Sequence, residues 1–256
     1  MADQCVRLEI NGKVALVTLD RPPVNALNRE MRRQLVATFD EISARDDIMC
    51  AVLTGQGSVF CAGADLKDRP NPDIPGDFLE HNRITRETGN AIRECAKPVI
   101  AAVNGAALGA GLGLMAACDI LYASDNATFA MPEINVGLAG GASMLRTLLG
   151  RSTSRRMFFT GQRLTAADLL RRNVLEEVLP PAELLPVTLA LAAEIASKAP
   201  LALVYAKRAA NMVDVMPQRD AYRFEQEFTL ALSRTEDAKE ARMAFLEKRA
   251  PVFKGR

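Results

Sequence analysis

A chain of 256 residues is long enough to bury a full core, and fits one large domain or one domain with an appendage. With 49% hydrophobic and 25% charged residues the composition excludes disordered, fibrous and membrane-spanning classes. The 32 Lys and Arg nearly cancel the 31 Asp and Glu, so no basic field exists to gather nucleic acid. Five scattered cysteines with no C-x-x-C pair predict neither a disulfide framework nor a zinc site. Met1-Ala2-Asp3-Gln4 opens no basic and apolar leader, and no uninterrupted apolar run of about 18 residues follows. The expectation is a protein of the reducing cytoplasm, with no membrane and no nucleic-acid partner.

Val6, Leu8 and Ile10 alternate before Asn11-Gly12, and Val14 to Leu19 follows, which predicts a hairpin closed by a two-residue turn. Asn28 is placed to cap a helix whose apolar residues Met31, Leu35, Phe39 and Ile42 recur at helical spacing. Ala51 to Thr54 reads as a buried strand, and the run Cys61-Ala62-Gly63-Ala64 after it as a loop opening a helix. Asp68 to Asp77, with three prolines, is a surface loop, and Phe78 to Glu94 is helical. Val99 to Val103 repeats the pattern of strand, small-residue loop (Ala107 to Gly113) and helix. Short strands follow at 120–123 and 128–131, the second stopped by Pro132 with Glu133 after it. Ser152 to Thr160 is a helix, Thr165 to Asp168 a capping-box signal, and 174–179 a last strand. From Pro181 the pattern is helical to the end, with an all-helical tail from about Pro200. The chain is thus α/β, built from a repeated strand, Gly/Ala loop and helix.

Two segments carry the chemistry, Cys61 to Leu66 and Leu108 to Gly111. Both place minimal side chains where main-chain N–H groups are accessible and lack intrahelical acceptors. Two such N–H groups converging on one point form an oxyanion hole, the device that stabilises charge developing on a carbonyl oxygen. Either segment alone also reads as a close-packed helix start; the pair, in this order, is more specific. The runs Val59-Phe60-Cys61-Ala62-Gly63-Ala64-Asp65-Leu66 and Val103-Asn104-Gly105-Ala106-Ala107-Leu108-Gly109-Ala110-Gly111 resemble the two signature loops of the crotonase (enoyl-CoA hydratase/isomerase) superfamily. Cys118-Asp119, Phe129 to Glu133 and Phe245 to Arg249 extend the resemblance over nearly the whole chain.

The resemblance implies a spiral of ββα turns, with residues 1–199 forming the core that holds the site and 200–256 a helical segment for trimerisation, commonly as a hexamer of two trimers. It implies an acyl-coenzyme A substrate and no prosthetic group. Ala64 and Ala110 match the oxyanion N–H donors, Ala62, Asp65 and Leu66 the coenzyme A channel, Glu133 the second catalytic glutamate, and Gly141 a glycine near the reacting carbons. Phe245 and Lys248 match residues that reach the adenine and phosphate end of coenzyme A, often across a subunit boundary. Phe224, Phe228, Leu232 and Phe245 are expected to bury an apolar face against a neighbour.

One departure matters. Where two-glutamate hydratases carry their first glutamate, three residues after Ala110, this chain has Gly113. Residues three apart share a helix face, so a side chain there would project toward the bound thioester; glycine leaves a gap. Glu133, followed by Ile134 and Val136 and preceded by Ala130 and Met131, is the one strong acid/base candidate, and desolvation should raise its pKa. One glutamate is enough for Δ3-Δ2 enoyl isomerisation, and the Pro22 to Leu27 segment resembles isomerase-type members. Hydration stays open, because some hydratases of the superfamily also lack the first glutamate. A catalytically idle or RNA-binding scaffold is the reading from another class, against which both loops and Glu133 stand. The lone histidine, His81, reads as a helix-surface residue with no G-x-S-x-G to serve, and Met31, Met115, Met131, Met144 and Met157 read as core filler.

Overall fold

The hairpin forms as predicted, β1 (Val6–Asn11) antiparallel to β2 (Val14–Leu19), with Asn11 opposite Val14. That register makes Gly12-Lys13 the two-residue loop, one position later than expected, and Gly12 adopts the positive φ (61°) at its start. Helix α1 (Arg29–Ala44) begins where Asn28 Oδ1 accepts the Met31 N–H at 2.8 Å, and Met31, Leu35, Phe39 and Ile42 are wholly buried. The computed structural model describes residues 4–256; residues 1–3, on which the expectation of no leader partly rests, lie outside the described residues.

The chain continues through β3 (Cys50–Gly55), α2 (Asp77–Arg93), β4 (Val99–Val103), β5 (Ala107–Leu108), α3 (Ala110–Ala116), β6 (Ile120–Ser124) and β7 (Thr128–Ala130). A 3-10 turn (Pro132–Val136) leads to α4 (Ala142–Leu148), α5 (Arg151–Thr160), β8 (Leu164–Thr165), α6 (Ala166–Leu170) and β9 (Glu177–Leu179). Four helices close the chain, α7 (Pro181–Ala196), α8 (Pro200–Val213), α9 (Gln218–Leu232) and α10 (Glu236–Glu247).

The large sheet runs β1-β2-β3-β4-β6-β9, parallel from β2 onward. Its strands read as continuous apolar runs because both faces are covered. Ala15, Val17, Ala51, Leu53, Ala101 and Val103 point into the core under α1, while Val14, Leu16, Cys50, Val52, Ile100 and Ala102 point to Leu184, Ala192 and Ala196 of α7. This is the two-residue alternation of a strand used on both sides.

The small sheet, β5-β7-β8, explains the repeat. Each unit places one strand in the large sheet, one segment in the small sheet, then a helix: β4, β5 and α3, then β6, β7 and α4. The first unit is β3, a parallel bridge from Cys61 to Ala107 of β5, and α2. Two expectations fail here. The 61–66 loop does not open a helix; after a turn it crosses the Pro-rich segment before α2 starts at Asp77. Helix α4 is unanticipated, because Gly140-Gly141 ahead of it reads as loop.

The 199/200 boundary falls at the break between α7 and α8, yet α8 is tied to the core: Lys207 Nζ lies 2.6 and 2.7 Å from the Asp119 carboxylate, its side chain 3% exposed. The stripe assigned to a neighbouring chain also packs internally. Phe228 stacks on Tyr205 of α8 with centroids 5.0 Å apart, and Phe224 meets Phe228 edge-on at 4.6 Å. Phe245, by contrast, is 83% exposed. No single helix among the described residues is long and apolar enough to cross a membrane.

Candidate functional site

Three parallel segments of the small-sheet layer end side by side. Cys61 bridges Ala107, and Ala107 and Leu108 pair with Phe129 and Ala130. Their carboxyl ends therefore deliver Ala64, Ala110 and Glu133 to one edge, where parallel strands present their loops.

The first loop is fixed by main chain. Leu27 donates to the Gly63 carbonyl at 2.8 Å and Asp65 donates back to Leu27 at 3.0 Å, a parallel bridge centred on Ala64. In such a bridge the flanking residues make the bonds, so the Ala64 N–H turns away from Leu27, and it has no acceptor among the described residues. Asn25, 1% exposed, braces the approach by donating Nδ2 to the carbonyls of Gln56, Val59 and Phe60. Asp65 is engaged rather than free: Arg21 Nη2 meets its carboxylate at 2.7 Å, and the Lys67 N–H and Arg21 together hold its pKa below the usual range. Ala62 donates to the Val24 carbonyl at 3.0 Å, and Leu66 is 61% exposed beside it.

The second loop turns into α3 at Gly109, whose φ of 53° and ψ of −119° suit a residue without a Cβ. Gly109 donates to the Ala130 carbonyl at 2.8 Å, while the N–H of Ala110, in the first turn, has no acceptor among the described residues. The two loops touch: a Cβ on Gly63 would stand 2.8 Å from the Leu108 carbonyl oxygen and 3.6 Å from the Ala110 nitrogen, and one on Gly111 would strike the Cys61 carbonyl.

Glu133 lies over Gly109. A Cβ there would collide with Oε1 and sit 3.2 Å from Cδ. Oε2 is buried with no hydrogen-bond partner. Burial raises the Glu133 pKa, against the lowering effect of a hydrogen bond from its own main chain. The surroundings differ from expectation: Ala130 and Met131 are buried, but Ile134 and Val136 are 42% and 50% exposed, and Gly109 of the second loop lies against the carboxyl instead.

Gly113 donates to the Gly109 carbonyl at 3.1 Å, one turn along the same face. The expected gap is filled: the thioether sulfur of Met144, from α4, stands 2.6 Å from where a Gly113 Cβ would be. Gly141, at φ 94°, likewise leaves space for the Met131 thioether. These two methionines pack with the core as expected, and from it they fill the spaces at Gly113 and Gly141. No sequence period reveals them, because the contact depends on how α4 folds back on α3.

Phe245 and Lys248 are not brought to the loops. They lie on the exposed surface of α10 and bond to neither loop. A cavity of about 700 Å³ opens at the opposite end of α3, beside Cys118, Asp119 and Asn211, and holds none of the predicted site residues. No cluster of three or more His, Cys, Asp or Glu suited to a metal occurs among the described residues.

This geometry has relatives. A family model described as enoyl-CoA hydratase/isomerase matches residues 9–256. YngF of Bacillus subtilis (strain 168) is 37% identical over 260 residues, covering 100% of both chains. The 2,3-dehydroadipyl-CoA hydratase of Escherichia coli (strain K12) is 36% identical over 248 residues, 95% of this chain and 96% of that one. Among solved structures, DspI of Pseudomonas aeruginosa superposes with a TM-score of 0.93 at 34% identity, covering 98% of this chain and 97% of its own.

Proposed function

Because the chain belongs to the enoyl-CoA hydratase/isomerase family, we propose that it binds a coenzyme A thioester with the carbonyl oxygen between the Ala64 and Ala110 N–H groups and moves protons with Glu133 alone. The observation that carries this reading is Glu133, its Oε2 buried without a hydrogen-bond partner and its carboxyl set against Gly109, one residue from the free N–H of Ala110. Main-chain donors fixed by sheet and helix stabilise the charge that builds on a thioester oxygen as an α-proton leaves, with no reorganisation during the reaction. A carboxyl with a raised pKa is suited to both take and return that proton near neutrality.

With a thioether at Gly113, no second carboxylate on the α3 face activates water. The reaction that needs only this set is isomerisation of a 3-enoyl thioester. Glu133 removes the α-proton, the charge spreads as a dienolate onto the thioester oxygen, and the same carboxyl protonates the γ-carbon. Hydration is the second reading, favoured by the E. coli relative named as a hydratase. There Glu133 takes a proton from the water that adds to the β-carbon and delivers it to the α-carbon.

Ala62, Leu66 and the main chain of Asp65 border the coenzyme A channel, with Arg21 locking the loop through the Asp65 carboxylate. Gly113 and Gly141 set the walls around the reacting carbons. Phe245 and Lys248, exposed on α10, are assigned to the nucleotide end of a coenzyme A bound by a neighbouring chain, in a trimer or pair of trimers. A panel of 2-enoyl and 3-enoyl thioesters, separated by chromatography with mass detection, tests the reading: a new peak of unchanged mass from the 3-enoyl thioester is isomerisation, and gain of one water from the 2-enoyl thioester is hydration. Turnover of neither rejects it.

A further inference from the structure

The N-terminal halves of α1 and α2 pack together, and their outer rim is closed by ion pairs, Arg29 Nη1 to Asp77 Oδ1 at 2.7 Å and Arg33 Nη2 to Glu80 Oε1 at 2.6 Å. Inside that rim, Arg32 is treated differently. It is 3% exposed, and while its main-chain N–H donates to the Asn28 carbonyl at 3.1 Å, its guanidinium makes no hydrogen bond or ion pair among the described residues. Asp68, the carboxylate whose charge reaches it, is instead engaged by the main-chain N–H of Arg29. From α2, His81 and Thr85, one turn apart, contribute a buried Nδ1 and a buried Oγ1 with no partner, and Arg29 Nε is unpartnered as well. His81 stands partly exposed on α2 with Nδ1 turned inward: burial lowers its pKa first, and the Arg32 charge next.

Leaving one such group unmatched costs about 1–3 kcal/mol, and more for a charge. Three such atoms, beside a buried guanidinium that pairs with no side chain, describe a receptor whose acceptor comes from outside the chain. Arg32, in the first turn of α1, follows closely on Leu27, whose bridge to Ala64 sets this recess beside the first loop. The Arg32 charge acts on the Cys61 thiol, and Cys61 presses its carbonyl and Cβ against Gly111 in the first turn of α3.

We infer that the recess formed by Arg32, His81 and Thr85 receives a carboxylate at the far end of the acyl group, so that the substrate is the coenzyme A monothioester of an unsaturated dicarboxylic acid. The guanidinium fork matches a carboxylate's two oxygens, which a hydroxyl or a methyl terminus does not. The Thr85 hydroxyl and His81 Nδ1, inside the rim, supply further hydrogen bonds. The inference rests on the reading of Ala64, Ala110 and Glu133 as the thioester site.

The test compares two enoyl-CoA substrates of equal chain length, one ending in carboxylate and one in methyl, on the full-length parent, Arg32→Met, Arg32→Lys and Thr85→Val. The parent is expected to favour the carboxylate-ended substrate in kcat/KM by at least about 10-fold, since a site built to hydrogen-bond a group rejects the analogue lacking it. Arg32→Met should erase that preference while leaving the methyl-ended substrate unchanged or improved, Arg32→Lys should restore part of it, and Thr85→Val should weaken it. A parent that treats both alike, or prefers methyl, overturns the inference without any variant and leaves the thioester reading standing. An Arg32→Met protein that loses both activities in equal proportion overturns it too. If the parent binds and turns over neither thioester, the thioester reading itself falls.

Discussion

Gly109 and Gly113 lie one turn apart on the same face at the start of α3, and both leave room for a side chain from elsewhere. At Gly109 the visitor is the Glu133 carboxyl; at Gly113 it is the Met144 thioether. The same device, a missing Cβ, thus brings a carboxyl to one end of the face and an apolar wall to the other. On the proposed reading, a site arranged this way has one proton carrier, and a water molecule opposite it finds no second carboxylate.

The largest expected effect comes from removing the carrier. Glu133→Gln keeps shape and hydrogen bonding but not the exchangeable proton, so kcat should fall by roughly 10²-fold to 10⁴-fold with little change in thioester binding, measured by steady-state kinetics and calorimetry. The same variant should melt at a higher temperature than the parent at neutral pH. Burial raises the Glu133 pKa, so its ionised form destabilises the folded state; that cost grows as pH rises through the folded pKa, and a neutral amide escapes it.

Gly109→Ala should come next. Its Cβ would meet the Glu133 carboxyl, at a φ of 53° that disfavours alanine, so the carboxyl must move while the fold survives. A displacement of about 1 Å is enough to lower kcat by about 10²-fold, and a crystal structure of the variant should find Glu133 shifted.

The Gly113 end sharpens the contrast with a gain. Gly113→Glu alone is crowded by Met144, whereas Gly113→Glu with Met144→Ala opens the space. The double variant should raise the ratio of hydration to isomerisation by about 10-fold over the single one, within the range that a positioned acid/base group supplies. Product ratios by chromatography with mass detection measure this directly.

What the sequence disclosed divides along physical lines. Local signals held: the Asn28 cap, the period of Met31 to Ile42, the apolar runs of β3 and β4, and the Thr165 to Asp168 capping box. Each depends on neighbours a few residues away. Gly113 as an empty position was also legible, being a single residue type at a known offset from Ala110. Met144 filling it was not, since that contact joins residues on separate helices and α4 itself hides behind Gly140-Gly141. The 61–66 loop was mistaken for a helix start because small residues serve equally at a helix N-terminus and at the parallel bridge that Ala64 makes with Leu27. Arg32 is illegible for a related reason: charged residues on amphipathic helices usually face water, and only the packing of α1 on α2 turns this one inward, along with one face of His81.

The smallest effect concerns pH. Proton abstraction needs ionised Glu133, whose pKa burial raises, so the acidic limb of kcat/KM should lie above the ordinary carboxylate range. A profile falling only within that ordinary range would place the base elsewhere.

The most direct measurement is solvent deuterium exchange. Parent and Glu133→Gln are incubated in D2O with a 3-enoyl-CoA, and uptake of deuterium into the thioester is followed by mass spectrometry. If Glu133 is the only proton carrier beside an enolate held by Ala64 and Ala110, the parent incorporates deuterium and the variant is slower by roughly 10²-fold or more. Exchange at a near-parental rate in Glu133→Gln would contradict the account, because another group would then be moving the proton.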